Sequence, residues 1–379
     1  MAFIATWIEW GDGLLSGLHF VVMLCLYDGL LTYVEVNHSA LLADITSDQS
    51  QRTSLLQWSA ICATIGSLSS LAARAFWDPQ DLMAFRRVVI TVGFFSCVAF
   101  EYTATQLRNC SVVAVSKMDD EDLLLPVKAN SKGFPKMTDF IKELASHHNF
   151  TVFLAMSAVQ CFDCTFQKNF FVIFLDRLVG DGMTASSQGM VVTVSFALPH
   201  LVAIGATVLV QKWGLHGALK FVLQVRFAVA LTALVSLTTA FSWWSACVFI
   251  LANRVVSECV CRLFPLVQSD LTDEDMFLHQ RGHGMSASII GSANLFSKPS
   301  QSMAPMLGFY LLSDSLMPAG GKPHMFEGHD QDVITRLHIC KMVVLVPLLC
   351  TTVEWLLWRK YNLHGKYLAE VKSYLEGCV

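Results

Sequence analysis

The stretch 30-LLTYVEVNHSALLADITSDQSQRT-53 decides how this chain is read. Through Val36 it closes an apolar run long enough to cross a bilayer, broken by a carboxylate at Glu35 and followed by an imidazole at His38. Beyond it, 44-DITSD-48 and Arg52 form a short charged turn before the next apolar run begins. Apolar run, charged turn, apolar run is the pattern of two membrane helices joined at the water boundary. An ionised side chain at mid-membrane costs roughly 2.5–3.5 kcal/mol, so Glu35 calls for an enclosed setting or a partner.

The composition agrees. The chain has 379 residues, 54% hydrophobic and 15% charged, and its mean hydropathy is +0.51. That exceeds what a water-soluble core of this length needs. Net charge is −4, with the basic residues scattered, which leaves no electrostatic footprint for nucleic acid. The twelve cysteines fall largely inside apolar segments and read as small hydrophobes. Cys161-x-x-Cys164 and Cys259-x-Cys261 each lack a second ligand pair nearby in sequence, so no metal is expected. Nucleotide-binding, zinc-protease and serine-hydrolase motifs are missing, and no enzyme or cofactor is implied.

Nine windows have the length of a membrane span, about 20 residues each: 14–36, 55–77, 85–105, 151–175, 188–211, 217–240, 243–265, 285–312 and 338–358. Backbone groups in lipid must bond within their own segment, so the expected fold is an all-α, polytopic membrane helical bundle. The longest polar connection, residues 108–149, mixes acidic residues with lysines and Pro126 and Pro135. It reads as a cytoplasmic linker between residues 1–107 and a six-helix bundle at 150–360. Residues 361–379 form a cytoplasmic tail whose charges are expected to be solvated.

A weak internal repeat supports two related halves. 40-ALLADITSD-48 with Arg52 resembles 266-LVQSDLTDED-275 with Arg281, each placed between two apolar runs. Parallel repeats of this kind occur in major facilitator carriers.

The residues now carry a resemblance. Glu35, 44-DITSD-48, Arg52, 270-DLTDED-275, Arg281 and 294-NLFSKPSQSMAPMLGFYLL-312 resemble the glycoside-pentoside-hexuronide:cation symporter branch of the major facilitator superfamily. The stretches 25-CLYDGLLT-32, 39-SALLAD-44, 168-KNFF-171, 253-NR-254 and 296-FSKPSQSMAPMLG-308 are similar to an orphan vertebrate relative in that branch. The resemblance implies a truncated major facilitator fold whose first window corresponds to the family's fourth helix. It implies cation-coupled symport, with Na+ or H+, of a small organic solute such as a carbohydrate. The alternative is a non-transporting membrane protein or shortened isoform that binds or modulates a partner. Either would be a multi-pass protein of the plasma membrane or an internal membrane, with the lipid bilayer as its surroundings.

By the same resemblance Glu35 aligns with an acidic residue used for substrate and cation, and Lys298 with a lysine of the eleventh family helix. The two are expected to approach across a central cavity. Asp28, two turns before Glu35 on the same helical face, is expected to extend that polar lining, and His38, a turn beyond Glu35, to share a proton with it, since an imidazole titrates near neutral pH. Asp163 and Lys168 are five residues apart, too far round one helix to pair ideally, so each should find its partner elsewhere. Arg254, Glu258 and Arg262 recur every four residues, a stripe in which Glu258 can bond either arginine. Asp44, Arg52, Asp270 and Arg281 lie in cytoplasmic turns and are expected to form gating ion pairs. The family's sugar-contacting aromatic is Ser39 here, which leaves the solute class open.

Overall fold

A computed structural model describes residues 2–7, 13–46, 48–69, 76, 83–121, 137–239, 242–281, 284–316 and 329–378. The parts of the sequence-defined linker at 122–136, Pro126 and Pro135 included, lie outside these residues. Among the described residues the regular structure is helical, with no strand. The chain is a polytopic helical membrane bundle.

The helices are α1 (Ala2–Ala5), α2 (Leu14–Ile45), α3 (Gln49–Ser67), α4 (Met83–Glu121), α5 (Met137–Ser146), α6 (His148–Val179), α7 (Ala185–Thr239), α8 (Trp243–His279), α9 (Ser286–Leu316), α10 (His329–Trp358) and α11 (Gly365–Cys378). The helix α7 is two spans in one: Gly214, at φ 74° and ψ 166°, breaks it. Only glycine takes that backbone geometry without strain, and the break separates windows 188–211 and 217–240. Among the described residues four stretches are long and apolar enough to cross a membrane on length and composition alone: Leu14–Ile45, Met83–Asn109, Ser187–Ser236 and Arg336–Trp358. The helices α6, α8 and α9 are not among these four; polar residues punctuate them, including Asp163 and Lys168 in the first, Arg254, Glu258 and Arg262 in the second, and Lys298 in the third.

Contacts divide the chain into two compact units. The first comprises Met1–Asn37 and Ser67–Gly133. In it Trp7 meets Phe85 edge-on at 4.9 Å, and Phe3 lies 5.5 Å from Tyr27, which holds α1 against the longer helices. Long apolar side chains such as Leu18, Phe94 and Phe95 are exposed on this unit, as expected of surfaces that face acyl chains.

The second unit comprises His38–Gly66 and Phe134–Val379. Its core is two apolar clusters. One gathers Phe153, Met156, Leu219, Leu263 and Trp358, and the other Phe166, Phe170, Phe174, Ile250 and Ile339. The second cluster rests on a close helix contact. A Cβ at Gly308 of α9 would come within 2.1 Å of the Phe170 ring on α6. That ring cannot swing away, because Phe166, Phe174 and Phe309 pack round it at 5.1–5.9 Å. Gly308→Ala should therefore cost about 1–3 kcal/mol, as over-packed cores do, and Gly308→Ala/Phe170→Leu should recover most of the loss in detergent melting.

Candidate functional site

Between the two apolar clusters each helix carries polar residues that neither cluster contains. On α6 these are Ser157, Gln160, Asp163, Cys164 and Gln167; on α7, Arg226; on α8, Asn253, Arg254, Ser257 and Glu258; on α10, Thr351 and Glu354. Asp163 is near the midpoint of α6, roughly 23 Å from either end at 1.5 Å per residue. Helical spacing explains the layer: 157, 160, 164 and 167 recur at three- and four-residue steps, so one face of α6 is polar between two apolar segments.

At the centre is Arg226, with no solvent exposure. Its Nη1 donates to Glu354 Oε2 at 2.7 Å and to Gln160 Oε1 at 2.9 Å, while Nη2 donates to Asp163 Oδ2. The Ser257 hydroxyl donates to the same Asp163 oxygen at 2.6 Å. Asp163 and Glu354 are also fully buried. Gln160 Nε2 turns the other way, donating to the Ser257 carbonyl at 2.8 Å and approaching the sulfurs of Cys164 and Cys261.

A second group adjoins the first. Lys168 bonds Glu258 at 2.7 Å, with the lysine side chain 48% exposed and the glutamate 10%. Asp163 and Lys168 thus take different partners on different helices. The stripe on α8 is arranged differently from its sequence reading, since the ion pair of Glu258 runs to Lys168 rather than to a neighbouring arginine. Arg254 instead lies over the rings of Phe171 and Phe196, 4.9 Å from each centroid, and donates to the Ser195 carbonyl. Cation–π contact in a desolvated site stabilises the guanidinium where no carboxylate bonds it directly. The fold also joins the cysteine pairs that are separate in sequence: Cys164, Cys261 and Glu258 bring ligand-type atoms within 4.8 Å of one another. Glu258 of this trio is also the partner of Lys168.

The charged turns meet at the end of α8. Arg52, 1% exposed, forks onto Asp273 with bonds of 2.6 and 3.1 Å, donates to the Ala43 carbonyl at 2.8 Å, and lies 3.8 Å from Asp270. Lys372 of α11 bonds Asp270 at 3.0 Å and also contacts Asp273. Asn149 donates to Glu274 at 2.7 Å. Arg281 reaches Glu143 at 2.6 Å and Asp275 at 3.1 Å. Asp44 accepts a bond from Ser286 at 2.9 Å. The acidic run 270-DLTDED-275 is therefore a hub that ties α3, α5, α6 and α11 to α8, while Ser286 ties the start of α9 to Asp44 of α2.

The tail corrects its sequence reading. Lys372 is ion-paired rather than solvated, and Tyr361, Leu363, Val371 and Leu375 are buried, because α11 presents an apolar face to the first cluster.

Burial pushes the Asp270 carboxyl above the ordinary carboxylate range, against the pull of Lys372 and Arg52. Asp275 is likewise raised by burial, against Arg281 and His279. An acid raised in the folded state holds its proton after the unfolded chain has released it, so stability falls as pH climbs through that interval. Lys372→Met removes a cation that opposes the shift. Its melting temperature in detergent should fall further below the parent's at pH 8 than at pH 5, where Asp270 can take up a proton.

The remaining sequence candidates are placed as follows. Asp28 and Glu35 are exposed on the part of α2 within the first unit, and His38 is exposed where α2 enters the second. Lys298 is half-buried on α9 in the second unit. Sequence reading missed Arg226, Glu354, Gln160 and Ser257. For two of them the signal was present: Arg226 falls in window 217–240 and Glu354 in window 338–358, and an ionisable residue inside such a window marks an enclosed polar site.

Comparison with known proteins completes the assignment. A family described as MFS/sugar transport protein matches residues 1–364. Transmembrane protein 180 of Gallus gallus is 30% identical over 394 residues, covering 100% of this chain and 76% of the relative. Transmembrane protein 180 of Mus musculus is 31% identical over 402 residues, covering 98% of this chain and 76% of the relative. With charges enclosed in a bundle of membrane helices and a family match spanning nearly its whole length, the chain is a multi-pass integral membrane protein that belongs to the MFS/sugar transport protein family.

Proposed function

We propose that this protein is a secondary carrier that moves a small organic solute, such as a carbohydrate, by cation-coupled symport. The observation that carries the reading is the enclosed charge in the second unit. Each ionised group held among membrane helices costs free energy that an inert anchor has no reason to spend. In carriers such groups mark substrate and ion paths, and the family supplies the transport frame.

The test is uptake by the full chain in proteoliposomes, screened over labelled sugars, lysolipids and organic anions, with and without an inward sodium or proton gradient. Gradient-stimulated accumulation of one class supports the carrier. Failure of every class under every gradient, with folded protein in the bilayer, favours the non-transporting alternative. Glu35→Gln and Lys298→Ala, at the positions the family resemblance assigns to solute and cation, should each lower uptake at least tenfold. Unchanged uptake would remove them from the mechanism.

A further inference from the structure

Charge counting in the polar layer leaves a remainder. Asp163 and Glu354 are carboxylates with no solvent exposure, and the cation that touches both is Arg226. Ionised together, the three carry one negative charge in excess. Three atoms of the cluster are buried without a hydrogen-bond partner: the donor Arg226 Nε and the acceptors Asp163 Oδ1 and Glu354 Oε1, and the excess negative charge resides on the two acceptors.

Among the described residues, neighbouring cations do not supply the balance. From α6 and α8, Lys168 is bound to Glu258, and Arg254 interacts with that same glutamate while its guanidinium lies over two phenylalanine rings. The titratable groups that do face the cluster are the Cys164 thiol from α6 and the Cys350 thiol from α10. The helix α8 adds the neutral Ser257, and α9 sets Ser297 and Gln301 against Cys161. A surplus carboxylate so enclosed costs several kcal/mol if it stays ionised, and the usual relief is a bound proton.

We propose that the Asp163–Arg226–Glu354 cluster is a proton-binding site, in which the two carboxyl groups share one exchangeable proton on their unmatched oxygens and so make the cluster neutral. The proton belongs to the pair, as in any strongly interacting couple of acids. It is favoured over a hard metal cation because such ions take a shell of about six oxygens, and the cluster offers two unmatched carboxylate atoms. Polar atoms lead outward from it: Ser257 bonds Asp163, and Gln160, Cys164 and Cys261 continue to the Glu258–Lys168 pair, where the lysine is half exposed. The inference deepens the carrier reading by naming its coupling ion, and it depends on that reading only for the movement of solute.

Infrared spectroscopy of the full chain in proteoliposomes tests the site without any solute. At neutral pH the parent should show a protonated-carboxyl stretch that moves to lower frequency in D2O. Glu354→Gln and Asp163→Asn should each abolish it, whereas Glu101→Gln, on α4 in the first unit, should leave it intact. No such band at neutral pH, or a band indifferent to both substitutions, overturns the proposal. A melting temperature that rises with sodium in the parent and not in Glu354→Gln, with no carboxyl band, assigns the balancing charge to an alkali cation and also overturns it. The two readings fail separately. The band without uptake of any solute keeps the proton site and defeats the carrier, and uptake without the band does the reverse.

Discussion

Arg226→Met is expected to yield no folded, monodisperse protein under conditions that recover the parent chain. The substitution keeps the length of the side chain and removes its charge and donors. It strips Glu354 of its ion pair and leaves Asp163 with Ser257 alone, both without access to water. Removing one partner of a buried ion pair costs about 3–5 kcal/mol, and here two carboxylates lose the same partner. That approaches the whole stability margin of about 5–15 kcal/mol typical of folded domains. The decisive comparison is Arg226→Met/Asp163→Asn/Glu354→Gln, which removes the guanidinium and both ionisable carboxyl groups at nearly constant volume. Replacing buried ion pairs by neutral groups is often tolerated, so the triple variant should regain yield and a size-exclusion profile like the parent's. A single Arg226→Met variant with the parent's melting temperature would show that the guanidinium carries no such burden.

The second large effect is expected at the turn where the chain was first read. Arg52→Met should lower stability by about 3–5 kcal/mol, because the guanidinium is buried and binds Asp273 in a forked pair. It also donates to the Ala43 and Thr46 carbonyls, so the end of α2 loses its hold on the start of α3. Adding Asp273→Asn to Arg52→Met should cost little more, or recover part of the loss, since the neutral amide no longer leaves a charge without its partner. A double-mutant cycle of melting temperatures reads this as a coupling of about 0.5–3 kcal/mol. Additive losses would place the two residues in separate networks. Lys372 bonds Asp273 as well, so the cycle is best repeated in a Lys372→Met background.

The legibility of the two sites differed for a physical reason. The turn at 44–52 and the run at 270–275 stood out because both are short charged interruptions between apolar spans and because one resembles the other. That Arg52 of the first would bind Asp273 of the second is not written in either segment, since the two partners are separated by 221 residues. In the polar layer, Asp163 was noticed as an acid inside a span. Its partners were not, because an arginine and a glutamate in other windows declare only that each needs enclosure. The stripe of Arg254, Glu258 and Arg262 shows the opposite failure. Four-residue spacing makes contact within one helix possible, yet Lys168 on a neighbouring helix and two aromatic rings offered better-placed partners. The solvated reading of the tail missed for a similar cause, because Lys372 looks like any surface lysine until α11 packs its apolar face against the core.

Composition and periodicity alone determined that this is a membrane protein made of helices, and which charged residues interrupt its apolar runs. Lipid offers the backbone no hydrogen bonds and charges no water, so run length and charge placement already dictate those features. The tertiary structure alone decided which interruptions meet. Partners such as Asp163, Arg226 and Glu354 lie on three helices, and whether they touch depends on how each helix is rotated and how deep it sits. Packing of the two apolar clusters above and below them sets both.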